Sequence, residues 1–194
     1  MTDKKTLAFY DQNAESYALE SLKTDISDWY TDFEECLEPG ARILDLGCGS
    51  GRDTKHFLEK GFDVVPVDGS PEMCRFAESY LRIPVRCVRF SKLDYTKEFD
   101  GIWACASLLH VPQKDYRSVI NKVERALKPY GVLYASFKYG EGERRDANGR
   151  YFSYYNENDL NDLSNLDLIE YWISEDVRPS HAGEQWLNTL WRKP

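Results

Sequence analysis

The residues best suited to binding chemistry are three glycines at alternate positions after a short apolar run: Gly47, Gly49 and Gly51. Because glycine has no side chain, such a turn lets the backbone approach a ligand closely. Residues 42–46 before the turn read as a buried strand, and residues 52–59 after it read as a helix. The pattern therefore predicts a cradle for a small molecule at a strand end.

Two charged residues narrow the choice of ligand. Arg52 stands where a dinucleotide-binding turn has its third spaced glycine, and Asp45 places a carboxylate at the strand end. A fixed negative charge disfavours a pyrophosphate and favours a ligand that carries an ammonium or another cationic group. Asp68 follows the next predicted strand, about 20 residues after Gly47, the separation at which one βαβ unit delivers an acid to a ribose.

The run 45–51, Asp-Leu-Gly-Cys-Gly-Ser-Gly, resembles the first motif of the class I S-adenosylmethionine (SAM) dependent methyltransferases. In that family the turn holds the methionine portion of SAM, and the acid after the second strand, here Asp68, holds the ribose hydroxyls. The resemblance implies SAM as the cofactor and S-adenosylhomocysteine (SAH) as the product. It assigns cofactor binding to the turn and to neighbouring strand ends: Asp45, Gly47, Cys48, Gly49, Ser50, Gly51, Asp68, Gly69, Ser70, Phe90, Ser91 and Ala104. The alternative is an ordinary βα turn, with Asp68 as a helix N-terminal acid.

The predicted elements alternate along the chain as a doubly wound α/β sheet requires. Apolar runs predict seven strands, over 42–46, 62–67, 85–88, 99–104, 132–137, 168–174 and 185–192. Helical spacing predicts helices over 5–18, 27–36, 52–59, 71–81, 112–127 and 156–163. The family resemblance covers essentially the whole chain, so we expect one domain over 1–194 with an N-terminal helical lid over 1–38. It implies a Rossmann-like, mostly parallel seven-stranded sheet in the order 3-2-1-4-5-7-6, with only strand 7 antiparallel.

Composition disfavours several classes of protein. Hydrophobic residues make up 42% of the 194 residues and charged residues 30%, which is a globular balance, and no apolar run is long enough to span a membrane. The polar N-terminus shows no secretory signal, so we expect a cytoplasmic protein with no membrane partner. The five cysteines form no closely spaced pair, which argues against a disulfide framework and against a metal site.

The net charge bears on the partners of the chain. It is −8 at pH 7, the sequence pI is about 5.0, and no long run of lysine or arginine is present. Proteins that grip a phosphate backbone usually present a basic face. Nucleic acid is therefore a disfavoured partner and a small-molecule acceptor a favoured one. The sequence does not decide between a monomer and a homodimer.

Three side chains are candidates for positions near the reacting groups. In the N-terminal lid that the resemblance implies, Tyr10 or Tyr17 would pack near the SAM sulfonium, because a cation sits well against an aromatic face. Both tyrosines are otherwise ordinary members of an amphipathic helix. His110 follows the fourth strand, where the family contacts SAM and substrate. Its imidazole is a candidate catalytic general base, or a structural group that caps the next helix or lines the pocket.

Substrate choice must come from segments outside the shared motifs. The polar, glycine-containing segment 139–153 is longer than a median connection, so we expect a substrate loop. The candidate substrate residues lie in it, beside it, or between the last two strands: Lys138, Tyr139, Arg144, Tyr151, Arg178 and His181. Their cationic members favour an anionic group on the acceptor. The alternative is a solvated loop in which Glu141 and Glu143 neutralise the arginines.

Together these observations predict an enzyme that transfers a methyl group from SAM to a small metabolite by in-line displacement. Catalysis would rest mainly on holding the acceptor atom close to the methyl carbon. Two alternatives stay open: a tRNA-modifying methyltransferase, against which the acidic charge counts, and a non-catalytic SAM-binding or SAM-sensing protein. Whether the acceptor atom is oxygen, nitrogen or sulfur is not evident from the sequence.

Overall fold

A mixed β-sheet with helices on both faces forms the framework of the protein. The computed structural model describes residues 3–194; Met1 and Thr2, which belong to the predicted lid, lie outside the described residues. The strands are β1 (Arg42–Leu46), β2 (Asp63–Asp68), β3 (Arg86–Cys87), β4 (Phe99–Ala104), β5 (Leu127–Tyr139), β6 (Glu143–Arg145), β7 (Tyr151–Tyr155), β8 (Asp167–Glu175) and β9 (Gln185–Arg192). The α-helices are α1 (Lys4–Ser21), α2 (Thr31–Glu34), α3 (Arg52–Glu59), α4 (Pro71–Leu81), α5 (Gln113–Ala126) and α6 (Leu160–Leu163).

Seven of these strands follow the predicted topology. β1 lies between β2 and β4, β3 pairs with β2, and β5 pairs with β4, all in parallel. β9 pairs antiparallel with both β5 and β8. With β8 and β9 as the predicted strands 6 and 7, the order 3-2-1-4-5-7-6 and the single antiparallel strand among these seven are confirmed.

The segment 139–153 is not the irregular loop that the sequence predicts. It forms an antiparallel hairpin in which β6 pairs with β7, with Arg144 opposite Phe152. β7 also pairs in parallel with the end of β5, with Tyr154 opposite Lys138. The aromatic residues of β7 favour a strand, but the glycines and charges before them hide this signal. The segment is therefore a hydrogen-bonded wall attached to the main sheet.

Apolar packing on both faces of the sheet fixes the strand ends that build the site. Ile43, Leu44 and Leu46 of β1 are fully buried, as expected for a central parallel strand that helices cover on both faces. One core cluster packs α5 against β4 and β5. A second cluster packs α2 and α3 around Trp103, whose ring stacks on Tyr134 with 3.9 Å between centroids. The carboxyl ends of the parallel strands consequently meet at one edge.

Two helices that border this edge begin at side-chain caps. Asp3 accepts a hydrogen bond from the Thr6 backbone N–H at 3.0 Å and starts α1. Ser70 accepts one from the Met73 N–H at 3.2 Å, and Pro71 occupies the first turn of α4. Each cap satisfies a backbone donor that the helix itself leaves unpaired.

The structure also bears on the compositional expectations. The five cysteines are free thiols in the structure. No helix among residues 3–194 is both long and apolar enough to cross a membrane.

Candidate functional site

A cavity of about 320 Å³ opens at the edge where the parallel strands end. It extends from the glycine turn after β1 to the hairpin β6–β7 and the β8–β9 connection, and α1 contributes to its wall. Open α/β sheets bind ligands beyond the carboxyl ends of their strands. The predicted site residues that line the cavity are Tyr10, Tyr17, Gly47, Cys48, Gly49, Ser50, Asp68, Gly69, Phe90, His110, Lys138, Arg144, Arg178 and His181.

The other predicted site residues are not among those that line the cavity: Asp45, Gly51, Ser70, Ser91, Ala104, Tyr139 and Tyr151. Asp45 is buried and accepts a hydrogen bond from Thr54 Oγ1 at 2.5 Å. Burial, together with the nearby charge of Asp53, raises the pKa of Asp45. Ser70 is the α4 cap, and its hydroxyl donates to Asp11 at 2.5 Å. Asp45 and Ser70 therefore support the wall from outside the cavity.

The glycine turn is held open by backbone geometry. Gly47 has φ of 85°, and its N–H donates to the Val67 carbonyl at 2.8 Å. A Cβ added at Gly47 would lie 2.5 Å from the Cβ of Ser107. Only glycine can combine this left-handed conformation with so close an approach. The turn and the segment after β4 are thus packed against each other at the floor of the cavity.

Asp68 connects the glycine turn to the end of β2. One carboxylate oxygen accepts from the Gly49 N–H at 3.0 Å and the other from the Ser70 N–H at 2.8 Å. Burial raises the pKa of Asp68, while those backbone hydrogen bonds act in the opposite direction. Each carboxylate oxygen can accept more than one hydrogen bond, so Asp68 retains the capacity to bind the hydroxyl groups of a ligand.

Ser107 is a polar group that the sequence interpretation missed. Its hydroxyl oxygen is buried and has no hydrogen-bond partner among the described residues, although a buried polar group normally has one. The preceding Ala106 has φ of 50°, and its N–H donates to Ser136 Oγ at 2.8 Å. A left-handed alanine is strained backbone of the kind found at binding sites. The unpaired hydroxyl could bind a polar ligand in the part of the cavity beside the glycine turn.

Arg52 and Asp53 also line the cavity. Asp53 accepts hydrogen bonds from Arg52 Nε at 2.6 Å, Tyr30 Oη at 2.7 Å and Trp103 Nε1 at 2.9 Å. Arg52 keeps further N–H donors besides the one used here. The position of Arg52 directly after the last glycine could have indicated that it lines the cavity, but the sequence interpretation used Arg52 only to exclude a dinucleotide turn.

Tyr10 and His110 are hydrogen-bonded across the cavity. His110 Nδ1 lies 2.6 Å from the Tyr151 carbonyl oxygen, which can only accept, so Nδ1 carries the proton and donates it. Nε2 therefore accepts from Tyr10 Oη at 2.8 Å. Burial, reinforced by the charge of Arg150, lowers the pKa of His110 to about 3. Burial raises the pKa of the Tyr10 phenol well above its usual value. Both groups are neutral at pH 7.

The cations predicted to bind an anionic acceptor are already paired. Lys138 Nζ donates to Asp176 at 3.2 Å and contacts Glu184, and it lies 4.2 Å above the Trp186 ring. Arg178 makes two side-chain hydrogen bonds to Asp176, at 2.9 and 2.6 Å. These pairs neutralise much of the charge that the sequence interpretation assigned to substrate binding.

His181 belongs to the same group of side chains. Its Nδ1 lies 2.9 Å from Glu184. Asp176, His181 and Glu184 bring one ligand-type atom each to within 4.8 Å of one another. Both carboxylates are, however, already paired with Lys138 or Arg178, so their charge is compensated without a metal ion.

The hairpin ties α1 to the cavity wall. Arg145 donates two hydrogen bonds to Asp3, at 2.9 and 2.8 Å, and the Tyr151 N–H donates to Thr6 Oγ1 at 2.8 Å. Side chains on a strand alternate between its faces, and Phe152 and Tyr154 line the cavity while Tyr151 does not. The sequence interpretation missed Tyr154 as a lining residue because it predicted no strand at this position.

Comparisons with known proteins agree with this geometry. Residues 43–131 match the sequence family described as "Methyltransferase domain". A putative methyltransferase of Bacillus subtilis is 32% identical over 124 residues, which are 58% of this chain and 50% of that protein. A ubiquinone biosynthesis O-methyltransferase of Xanthomonas oryzae is 34% identical over 104 residues, which are 50% of this chain and 43% of that protein. The chain therefore spans about half the length of these curated relatives.

A solved structure resembles almost the whole chain. The 1,6-didemethyltoxoflavin-N1-methyltransferase of Burkholderia thailandensis, crystallised with 1,6-didemethyltoxoflavin and SAH bound, superposes with a TM-score of 0.75. The match covers 97% of this chain and 87% of that one, at 22% identity. At this identity the similarity establishes a shared fold.

Proposed function

Because residues 43–131 match the methyltransferase domain family, we propose that this chain is a class I SAM-dependent methyltransferase and that it transfers the methyl group of SAM to a small molecule bound in the same cavity. The observation that carries the proposal is that the two ends of the cavity have different linings. The end beside the glycine turn, here called the glycine-turn half, presents Asp68 and an unpaired Ser107 hydroxyl. The end beside β6 and β7, here called the hairpin half, presents aromatic and cationic side chains. A donor and an acceptor can therefore lie side by side.

The residues of the glycine-turn half suit the parts of SAM. The turn backbone, Ser107 and Arg52 would hold the methionine portion, since Arg52 has donors for a carboxylate. Asp68 would accept from the ribose hydroxyls, and Gly69 with Phe90 would border the adenine. When bound, SAM supplies a methyl group already activated by a sulfonium. The protein then needs to bind, orient and desolvate the reacting groups.

His110 serves this arrangement best as a positioning residue. Both of its ring nitrogens are hydrogen-bonded, and its low pKa makes it a weak base. It can take a proton from an acceptor only if Tyr10 moves away from Nε2. We therefore assign His110 to holding Tyr10, and with it α1, over the reacting groups.

Charge in the hairpin half supports an anionic acceptor. Five cationic side chains line it, against three carboxylates, although the whole chain carries a net charge of −8. The cations are Lys138, Arg144, Arg145, Arg150 and Arg178, and the carboxylates are Asp146, Asp176 and Glu184. Asp3, which pairs with Arg145, adds a fourth carboxylate, so this half keeps a small net positive charge, which attracts ligands of the opposite sign. The acceptor we propose is thus a small anionic metabolite.

Calorimetry with SAH tests the cofactor half of the proposal. Asp68→Ala removes the acceptor for two ribose hydroxyls, each hydrogen bond to a charged group being worth about 1.5–3 kcal/mol, so affinity should fall by roughly a hundredfold or more. Asp63→Ala, at the exposed opposite end of β2, is the matched control and should bind normally. Unchanged affinity in Asp68→Ala would contradict the ribose assignment.

Turnover with labelled SAM tests the transfer itself. The protein is incubated with a small-molecule fraction and, separately, with an RNA fraction of a cell extract. We expect label in the small-molecule fraction. Label in RNA would support the tRNA-modifying alternative. SAH binding without label in either fraction would support a SAM-binding protein that does not catalyse transfer.

A further inference from the structure

Arg144 differs from the other cations that line the hairpin half of the cavity. Arg145 pairs with Asp3 at 2.8 Å and Arg150 with Asp146 at 2.8 Å. Lys138 and Arg178 both pair with Asp176. Within residues 3–194, Arg144 forms no ion pair; its guanidinium donates to the Glu141 backbone carbonyl at 3.3 Å. One cation of the five therefore keeps its charge available.

The surroundings of Arg144 preserve its hydrogen-bonding edge. Its guanidinium lies over the Tyr154 ring, 4.3 Å from the centroid. A guanidinium has five N–H donors, and the Glu141 carbonyl uses one of them, so donors remain for a carboxylate or phosphate, which match them in pairs. Arg144 is opposite Phe152 in the hairpin, and Phe152, Tyr154 and Trp186 line the same cavity. A ligand that carries both an oxyanion and a flat apolar ring can therefore contact Arg144 and these aromatic side chains at the same time.

The paired cations are less suited to this role. An anion that binds Lys138 or Arg178 competes for that cation with Asp176, which also accepts from Trp186 Nε1 at 3.0 Å. Weakening the pairing of Asp176, a largely buried carboxylate, is costly. Arg144 requires no such exchange.

We propose that Arg144 is the residue that recognises the methyl acceptor, by pairing with a carboxylate or phosphate carried on a flat, ring-containing molecule. This assignment rests on the proposed function. Lys138 and Arg178, which the sequence analysis names beside Arg144 as candidates for this role, instead build the wall with Asp176. The ring of the acceptor lies along the aromatic residues of the hairpin half. Its oxyanion contacts the edge of the Arg144 guanidinium.

Binding of three matched probes to SAH-saturated protein tests this assignment. Benzoate and phenyl phosphate carry the two oxyanions, and benzamide is the neutral counterpart of benzoate. By ligand-observed NMR titration we expect at least one anion to bind roughly tenfold more tightly than benzamide, the effect of one charge-assisted contact. The anion that shows the preference distinguishes a carboxylate from a phosphate acceptor.

The neighbouring arginine provides the control. Arg144→Gln should abolish the preference for the anion and leave benzamide binding unchanged. Arg145→Gln, which removes a cation already paired with Asp3, should keep the preference. Equal binding of all three probes, no binding of any, or equal loss in both variants would overturn the assignment of Arg144.

Titration of SAH in the same samples separates the two proposals. If the unmodified protein does not bind SAH, the proposed function is wrong. If SAH binds but no anion is preferred, only the assignment of Arg144 is wrong. Both variants should bind SAH as the unmodified protein does, because neither residue contacts the glycine turn.

Discussion

Replacing Gly47 by alanine should affect both stability and cofactor binding. Gly47 has φ of 85°, a conformation that costs a residue with a side chain about 1–2 kcal/mol. The new Cβ would also lie 2.5 Å from the Cβ of Ser107, and relieving such crowding costs about 1–3 kcal/mol more. We expect Gly47→Ala to lower the free energy of unfolding by about 2–5 kcal/mol, measured by urea denaturation.

Two control variants separate the backbone cost from the crowding. Gly40 has φ of 78° with nothing within 4 Å of its added Cβ, so Gly40→Ala should show the backbone cost alone. In the Gly47→Ala background, Ser107→Gly removes the clashing Cβ and should restore part of the stability, whereas Ser107→Ala keeps that atom and should not. If Gly47→Ala is no less stable than Gly40→Ala, the contact with Ser107 is not as the structure has it.

The same variants report on the cavity through calorimetry with SAH. Crowding at Gly47 separates the turn from the segment after β4, so Gly47→Ala should bind SAH at least tenfold more weakly. Gly40 is not among the cavity-lining residues, so Gly40→Ala should bind SAH normally. Normal binding in Gly47→Ala would refute the role of this turn as the floor of the cofactor site.

Three further changes test the rest of the site. Tyr10→Phe leaves the buried Nε2 of His110 unpaired and should cost about 1–3 kcal/mol of stability in urea denaturation, while the retained ring keeps SAH affinity within about twofold. His110 has a folded pKa of about 3, below the unfolded value, so the unfolded state binds the proton first. The stability due to neutral His110 is complete above pH 6.5 and is lost as pH falls toward 3, by about 2 kcal/mol between pH 7 and 5. His110→Gln should remove this part of the acid sensitivity, and identical pH profiles would contradict it. Asp176→Asn leaves buried Lys138 short of a partner and should lower the free energy of unfolding by about 3–5 kcal/mol. Asp94→Asn, which removes an exposed ion pair, is the control and should lower it by under about 1 kcal/mol. Equal losses in the two variants would show that burial does not strengthen the pair of Asp176.

Local patterns explain why the glycine turn and Asp68 could be predicted, whereas the sheet order was implied by the family resemblance that these residues carry. The turn is a contiguous run, and its meaning depends on the strand before it and the helix after it. Asp68 was recognisable because a βαβ unit fixes its distance from Gly47 along the chain. Both features belong to single segments, so one sequence suffices to find them.

The contacts of the hairpin half depend on residues far apart in the sequence. Arg145 meets Asp3, and Lys138 meets Asp176 and Glu184. Sequence inspection identifies cationic residues in a loop, but it does not show which carboxylate each one meets after folding. The alternative interpretation expected Glu141 and Glu143 to neutralise the arginines of this segment. Two of those arginines are indeed paired, but Arg145 pairs with Asp3 and Arg150 with Asp146.

The pairing also changes what the cationic residues imply about the acceptor. If all five cations were free, the hairpin half would attract any anion with little discrimination. With four of them bound to carboxylates, their side chains become fixed parts of the wall, and the charge left for a ligand is concentrated at Arg144. A single charge at a fixed position orients an acceptor as well as attracting it. Methyl transfer depends on that orientation, because the acceptor atom must lie in line with the bond that breaks.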